Sequence, residues 1–184
     1  MQRKLELQLQ NLSMMKIKTV IDKIVEKILV VLMIILLIDV LWQVLSRYVN
    51  KFLVNNFDIQ IPTDFYSFTD ELAGFLLIWV ALAGAAYVTG KKQHLSIDLL
   101  SVKLGDKGKA CLSMLINMLI LIFAVTVLIA GGSWLVYTRF YLGQISASME
   151  IPIGLVYLIV PVSGLLISYY VIADIFELKN PVKK

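Results

Sequence analysis

The stretch ILVVLMIILLIDVLWQVLS, residues 28–46, decides the fold. It is a run of apolar side chains interrupted only by Asp39 and Gln43 and closed by Ser46. As a helix it covers about 28 Å, close to the ~30 Å hydrocarbon core of a bilayer. Three more stretches repeat the pattern, at 72–90 (LAGFLLIWVALAGAAYVTG), 110–138 and 152–173. Backbone groups in lipid have no water to bond, so each crossing must be a helix. The remainder of the chain agrees. Its 184 residues are 59% hydrophobic and 16% charged, with a mean hydropathy of +0.84. A soluble domain carries about 25% charged residues, and one of this size exposes too much surface to hide such a composition. The sequence therefore predicts an all-α membrane protein, one membrane domain over residues 1–184 with four transmembrane helices. The 110–138 stretch is too long to stand upright and should tilt or protrude.

Lys and Arg are distributed unevenly. Six precede the first span, two follow it (Arg47 and Lys51), five lie between the second and third spans, one (Arg139) follows the third, and three end the chain. Fourteen thus fall on one side and three on the other. The positive-inside rule then predicts both termini in the cytoplasm. The net charge of +4 is explained by topology, which makes nucleic acid an unsuitable partner. One cysteine, Cys111, and one histidine, His94, exclude an internal disulfide, a bis-histidine haem and a His/Cys zinc site. No cofactor is expected. A membrane enzyme would need a nucleophile, a metal or paired acids at a useful spacing, and the sequence offers none. The first apolar run is too long for a cleavable signal peptide, and no small-residue cleavage site follows it.

The connections differ in kind. The outer loop at about 48–68 ends in Ser67-Phe68-Thr69-Asp70, a spacing that caps a helix start. Residues 96–104 place Ile97, Leu100 and Leu104 at helical spacing beside Asp98, Ser101 and Lys103, which predicts a short amphipathic helix in the cytoplasmic interface. Leu5, Leu7 and Leu9 alternate like a strand, whereas Ile17, Ile21, Ile24 and Ile28 follow a helical period. Residues 1–14 are therefore expected to be frayed or interfacial, with the helix starting near Met15.

Polar residues inside the spans are few. Asp39, Gln43 and Arg47 recur every four residues and form one slowly turning stripe. Asp39 costs up to roughly 3 kcal/mol on insertion scales, which its Leu, Ile and Val neighbours offset. It is either a proton- or ion-coupling carboxylate or one near the outer end that is paired with Arg47 through water or polar neighbours, or bonded to a partner subunit. The second reading is favoured, since coupling sites bring several convergent polar groups. Asn117 and Ser113 suit an interhelical hydrogen bond. Ala73, Ala81, Gly84 and Ala85 give the second span a small-residue face, and Gly164 and Ser168 do so in the fourth. Pro161 should kink the fourth helix. Asp70 and Glu71 complement the dipole at the start of the second helix or meet a partner. His94 reads as a surface or interfacial side chain.

Three stretches together resemble a known family: TDELAGFLLIWV at 69–80, Gly84-Ala85-Ala86, and GKKQHLSID at 90–98. They are similar to the small Q subunit (DctQ-like) of tripartite ATP-independent periplasmic (TRAP) transporters. The family shows an acidic pair before Leu-Ala, here Asp70-Glu71, then an aromatic near mid-span, here Trp79. A basic-x-x-His-x-x-x-Asp segment follows, ending in His94 and Asp98. Leu45-Ser46-Arg47-Tyr48 and Glu150-Ile151-Pro152, with Tyr157 and Pro161, extend the likeness over about residues 28–175. The departures are Asp70 where Glu is common, and a longer N-terminus and outer loop. The resemblance implies a bacterial inner-membrane subunit bound to a large M membrane subunit and served by a periplasmic P protein. M would carry an organic acid, a sialic acid or C4-dicarboxylate, on sodium flow, with the sodium ions in M rather than here. This chain would be a static scaffold that helps dock P, and Arg47, Asp70, Glu71, Trp79, Gly84, His94 and Asp98 are its candidate partner contacts. The competing reading is a stand-alone four-helix proton-coupled transporter using Asp39.

Overall fold

In the computed structural model, residues 2–57, 64–91 and 106–179 are described. Among them the regular structure is helical, apart from one isolated bridge between Ile145 and Pro152. The expected interfacial helix at 96–104, with His94 and Asp98, lies outside the described residues. Four helical stretches are long and apolar enough to cross a membrane.

Helix α1 runs Gln2–Phe57, 56 residues without a break. It starts before Met15 and ends beyond Ser46, correcting both expected boundaries. The sequence explains this, because no Gly or Pro occurs before Pro62. Once the apolar span is helical, propagation adds a hydrogen bond for each residue fixed, and nothing stops it. Helix α2 (Asp64–Gly90) begins just past Pro62. Ser67 therefore stands inside the helix instead of capping it, and α1 and α2 together take up most of the expected 48–68 loop.

The third span is α3 (Asp106–Phe123), a π-helical segment (Ala124–Gly131) and α4 (Gly132–Tyr141) in continuous sequence. The π segment, a wider turn with i→i+5 bonding, was not foreseen. At its start the Thr126 hydroxyl donates to the Ile122 carbonyl at 2.7 Å, the kind of back-bond that perturbs a helix ladder. The fourth span is α5 (Ile153–Tyr157) and α6 (Ile159–Lys179), broken at Leu158. Pro161 cannot donate to the Tyr157 carbonyl. The turn tightens instead, with the Leu158 amide bonding to Leu155 three residues back at 3.3 Å. The expected kink is thus a local break.

Contacts run from α1 to α2, from α2 to α6, and from α6 to the third span. The spans form a row in the order first, second, fourth, third, rather than a closed bundle. The fourth is much the most buried of the four. Its Ile167 and Val171 pack with Ala86 of α2 and with Ala124 and Leu128 of the π segment. A second cluster joins Val25 and Leu29 of α1 to Ala83 of α2, and Leu166 of α6 touches both clusters.

Close approach is set by glycine. A Cβ on Gly164 would lie 2.8 Å from Leu128 Cβ and 3.2 Å from the Ile129 backbone nitrogen, and one on Gly132 2.8 Å from Val160 Cγ1. The face that α2 buries within this chain is a different one from the expected small-residue face. Ala81 and Ala85 are exposed, and Ala83, Ala86 and Gly90 are the small residues buried. Gly84 meets only Leu29, at an ordinary 3.9 Å. Gly164→Ala is therefore expected to cost about 1–3 kcal/mol by overpacking, and Gly84→Ala to be nearly neutral. Thermal unfolding of both variants in mild detergent checks the contrast.

Candidate functional site

The acidic pair at the head of α2 is the most connected polar feature. Neighbouring residues on a helix point about 100° apart, so Asp70 and Glu71 serve different elements. Asp70 turns to α1. Arg47 Nη2 donates to both its oxygens, at 2.6 and 2.7 Å, and Gln43 Nε2 donates to Oδ1. Two of the three residues of the expected α1 stripe thus converge on a carboxylate 23 and 27 positions away. Both charges are substantially exposed, 59% and 44%, so in water the pair would be worth little. Its use is to fix the register of α1 against α2.

Glu71 turns to the loop between the third and fourth spans. The Ser146 hydroxyl donates to Oε2, the Ser148 amide donates to Oε2 at 3.1 Å, and the Ala147 amide donates to Oε1 at 3.2 Å. Ser146 Oγ in turn accepts the Met149 amide at 3.2 Å. The carboxylate thereby satisfies a run of backbone donors that the turn leaves unpaired. Two ladder bonds close the loop beneath, from the Ser146 amide to Ile151 at 2.9 Å and from the Ile153 amide to Gln144 at 3.0 Å. Glu150 holds φ +53°, an uncommon conformation for a residue with a Cβ. Arg139 donates to Gln144 and stacks over Tyr157, 5.7 Å from its centroid.

Trp79 donates its indole N–H to the Val156 carbonyl at 3.0 Å, tying α2 to the fourth span just before its break. Asp39 is buried on the α1 seam that faces α2, and its Oδ2 has no hydrogen-bond partner among the described residues. Arg47 is bonded to Asp70. Asn117 is buried on α3.

The opposite end of the row holds a cluster that sequence reasoning did not single out. Lys18 of α1 pairs with Asp174 of α6 at 3.0 Å and lies 5.8 Å from the Tyr170 ring centroid. Tyr170 is fully buried and fits only because Gly90 faces it, where a Cβ would come within 2.8–3.0 Å of the ring. The Asp22 carboxylate faces the phenol. The only available signals were a lysine at the basic end of one helix and an aspartate at the same end of another, 156 residues apart.

Arg47, Asp70, Glu71 and Trp79 are therefore engaged within the chain, and Gly84 packs on Leu29. No three His, Cys, Asp or Glu side chains come together as a metal site among the described residues. What the arrangement does chemically is fasten the row at both ends.

Two consequences are measurable. Glu71→Ala should remove protection of the Ala147 and Ser148 amides in hydrogen exchange while the helices keep theirs. Asp174→Ala should lower stability by about 1–3 kcal/mol, since it strands a half-buried lysine. Exchanging the two charges, Lys18→Asp with Asp174→Lys, should restore part of the loss in thermal unfolding.

Comparison with known proteins gives two findings. Residues 35–179 match the family model described as the DctQ component of tripartite ATP-independent periplasmic transporters. A protein of Haemophilus influenzae strain Rd, provisionally named a TRAP transporter small permease protein, is 32% identical over 111 residues. The match takes in 60% of this chain and 67% of that protein.

Proposed function

The chain belongs to the DctQ component family of TRAP transporters, and from that premise we propose that it is the stationary brace of a larger permease. The family is a transporter component, not an enzyme family, and the four apolar spans make this chain a multi-pass membrane protein. In the proposed arrangement both termini are cytoplasmic. The Asp70–Glu71 end and the connection at 142–152 face the periplasm, and the Lys18–Asp174 end faces the cytoplasm. A large M subunit carries an organic acid on sodium flow, and a periplasmic P protein delivers it. The sialic-acid branch remains the substrate suggestion that the sequence resemblance supplied.

One observation carries the brace reading. Polar groups at the heads of the spans fasten separate elements to one another, as Gln43 and Arg47 do to Asp70, Glu71 to the Ser146–Ser148 turn, and Trp79 to Val156. A row held by such ties suits a fixed support. The turn gripped by Glu71 is a preformed surface for P to meet, at little ordering cost.

The stand-alone reading keeps one point in its favour, the buried Asp39 oxygen without a partner. Reconstitution separates the two. Liposomes containing this chain alone should show no sodium-dependent uptake. The large subunit with P should lose uptake when the chain is omitted. In the complete system Asp39→Asn should retain transport, whereas a coupling carboxylate predicts its abolition. Arg47→Ala and Glu71→Ala should each lower uptake by loosening the brace. Sodium-driven flux through this chain alone would overturn the proposal.

A further inference from the structure

One long feature of α1 has no use inside the chain. From Ile24 to Phe52, residues 24, 28, 31, 35, 38, 42, 45, 49 and 52 alternate spacings of four and three, the a and d positions of four heptads. Each carries a large apolar side chain, and all nine are between 42% and 60% exposed. The seam that α1 turns toward α2 is the adjacent one, a single residue step or about 100° around the helix. It runs through Val25, Leu29, Leu32, Leu36, Asp39 and Gln43, and each of these is at least half-buried. The polar residues of the span are thus covered within the chain, and the wholly apolar seam is not.

Lipid tails cover an apolar stripe only within the hydrocarbon. The distance from Ile24 to Phe52 is about 42 Å along the helix, and about 40 Å across the membrane at an average tilt of about 20°, against a core of about 30 Å. The ends of the seam therefore stand outside the hydrocarbon. Charges surround them there. Ile24 lies among exposed Lys23, Glu26 and Lys27, and Phe52 beside exposed Lys51. The apolar register continues beyond the hydrocarbon at both ends, and an a/d register sustained over four heptads is the mark of a helix–helix seam.

We propose that this a/d seam of α1 is the face on which the large membrane subunit lays an apolar helix, packed knobs-into-holes along its length. The inference rests on the brace reading above. The matching helix is long enough to leave the hydrocarbon at both ends. It presents no charge to the seam, since a charge there would be desolvated without a partner. A second copy of this chain is the poorer occupant. Copies sharing one membrane orientation pair in parallel, which sets each a position against itself. Trp42 would then face Trp42 across helix axes about 8–10 Å apart. A different chain can place a small side chain there.

Site-specific photo-crosslinking in cells expressing the whole transporter tests this. A benzophenone amino acid is placed at Ile24, Ile38 and Phe52 on the seam, and at Val30, Leu37 and Val44, which are equally exposed on a third face of α1. Adducts with an affinity-tagged large subunit are expected from the three seam positions and only background from the other three. The double variant Ile24→Ser, Phe52→Ser changes residues beyond the hydrocarbon, so the span still inserts. It should lower recovery of the large subunit by about tenfold, as for two apolar side chains losing contact. Three outcomes overturn the seam and leave the brace standing, provided the large subunit still co-purifies with the wild-type chain. These are adducts from the third face alone, adducts between two copies of this chain, or no protein adduct at any of the six positions. Failure of the large subunit to co-purify at all overturns both.

Discussion

Two adjacent carboxylates at the head of α2, aimed at different neighbours, hold one end of this structure in register. Asp70 takes the guanidinium and amide of α1, and Glu71 takes the donors of the turn between the third and fourth spans. Through one helical turn of α2, the first span and the last connection are fixed relative to each other. The pairing of Lys18 with Asp174 does the corresponding work at the other end, joining α1 to α6 directly. Between these ends the helices rely on glycine-permitted contact, small apolar clusters and the Trp79–Val156 bond.

The economy of contacts follows from the solvent. Lipid tails are as apolar as leucine, so burying leucine against leucine gains little in a bilayer, and association rests on close packing and hydrogen bonds. Gly132 and Gly164 bring the third and fourth spans together, and Gly90 admits the Tyr170 ring. With such contacts available, four helices can stand in a row without closing into a bundle. A row exposes two broad faces where a bundle exposes one.

The same logic separates the two seams of α1. One is polar in part and is covered by α2; the other is apolar throughout, exposed, and longer than the hydrocarbon is thick. The residues that resemble family motifs, Asp70, Glu71 and Trp79, act as internal fasteners, and the surface suited to a large partner lies on a helix face without a polar signature. A chain built this way keeps its specific bonds for its own rigidity.

Much of this could be read from residue order alone. Run length and apolar content located the four crossings, because the free energy of moving a side chain into hydrocarbon depends on that side chain and not on its neighbours. The absence of glycine and proline before Pro62 already contained the uninterrupted α1, and Pro161 contained the break at Leu158. Tertiary structure alone decided where the polar atoms point. That Arg47 chooses Asp70 over Asp39, that Glu71 captures a turn 75 residues away, and that Ala83 and Ala86 are buried where Ala81 and Ala85 are not, all depend on the rotation of each helix about its axis. Packing against neighbours sets that rotation, and in a chain apolar on nearly every face no pattern of residues announces it.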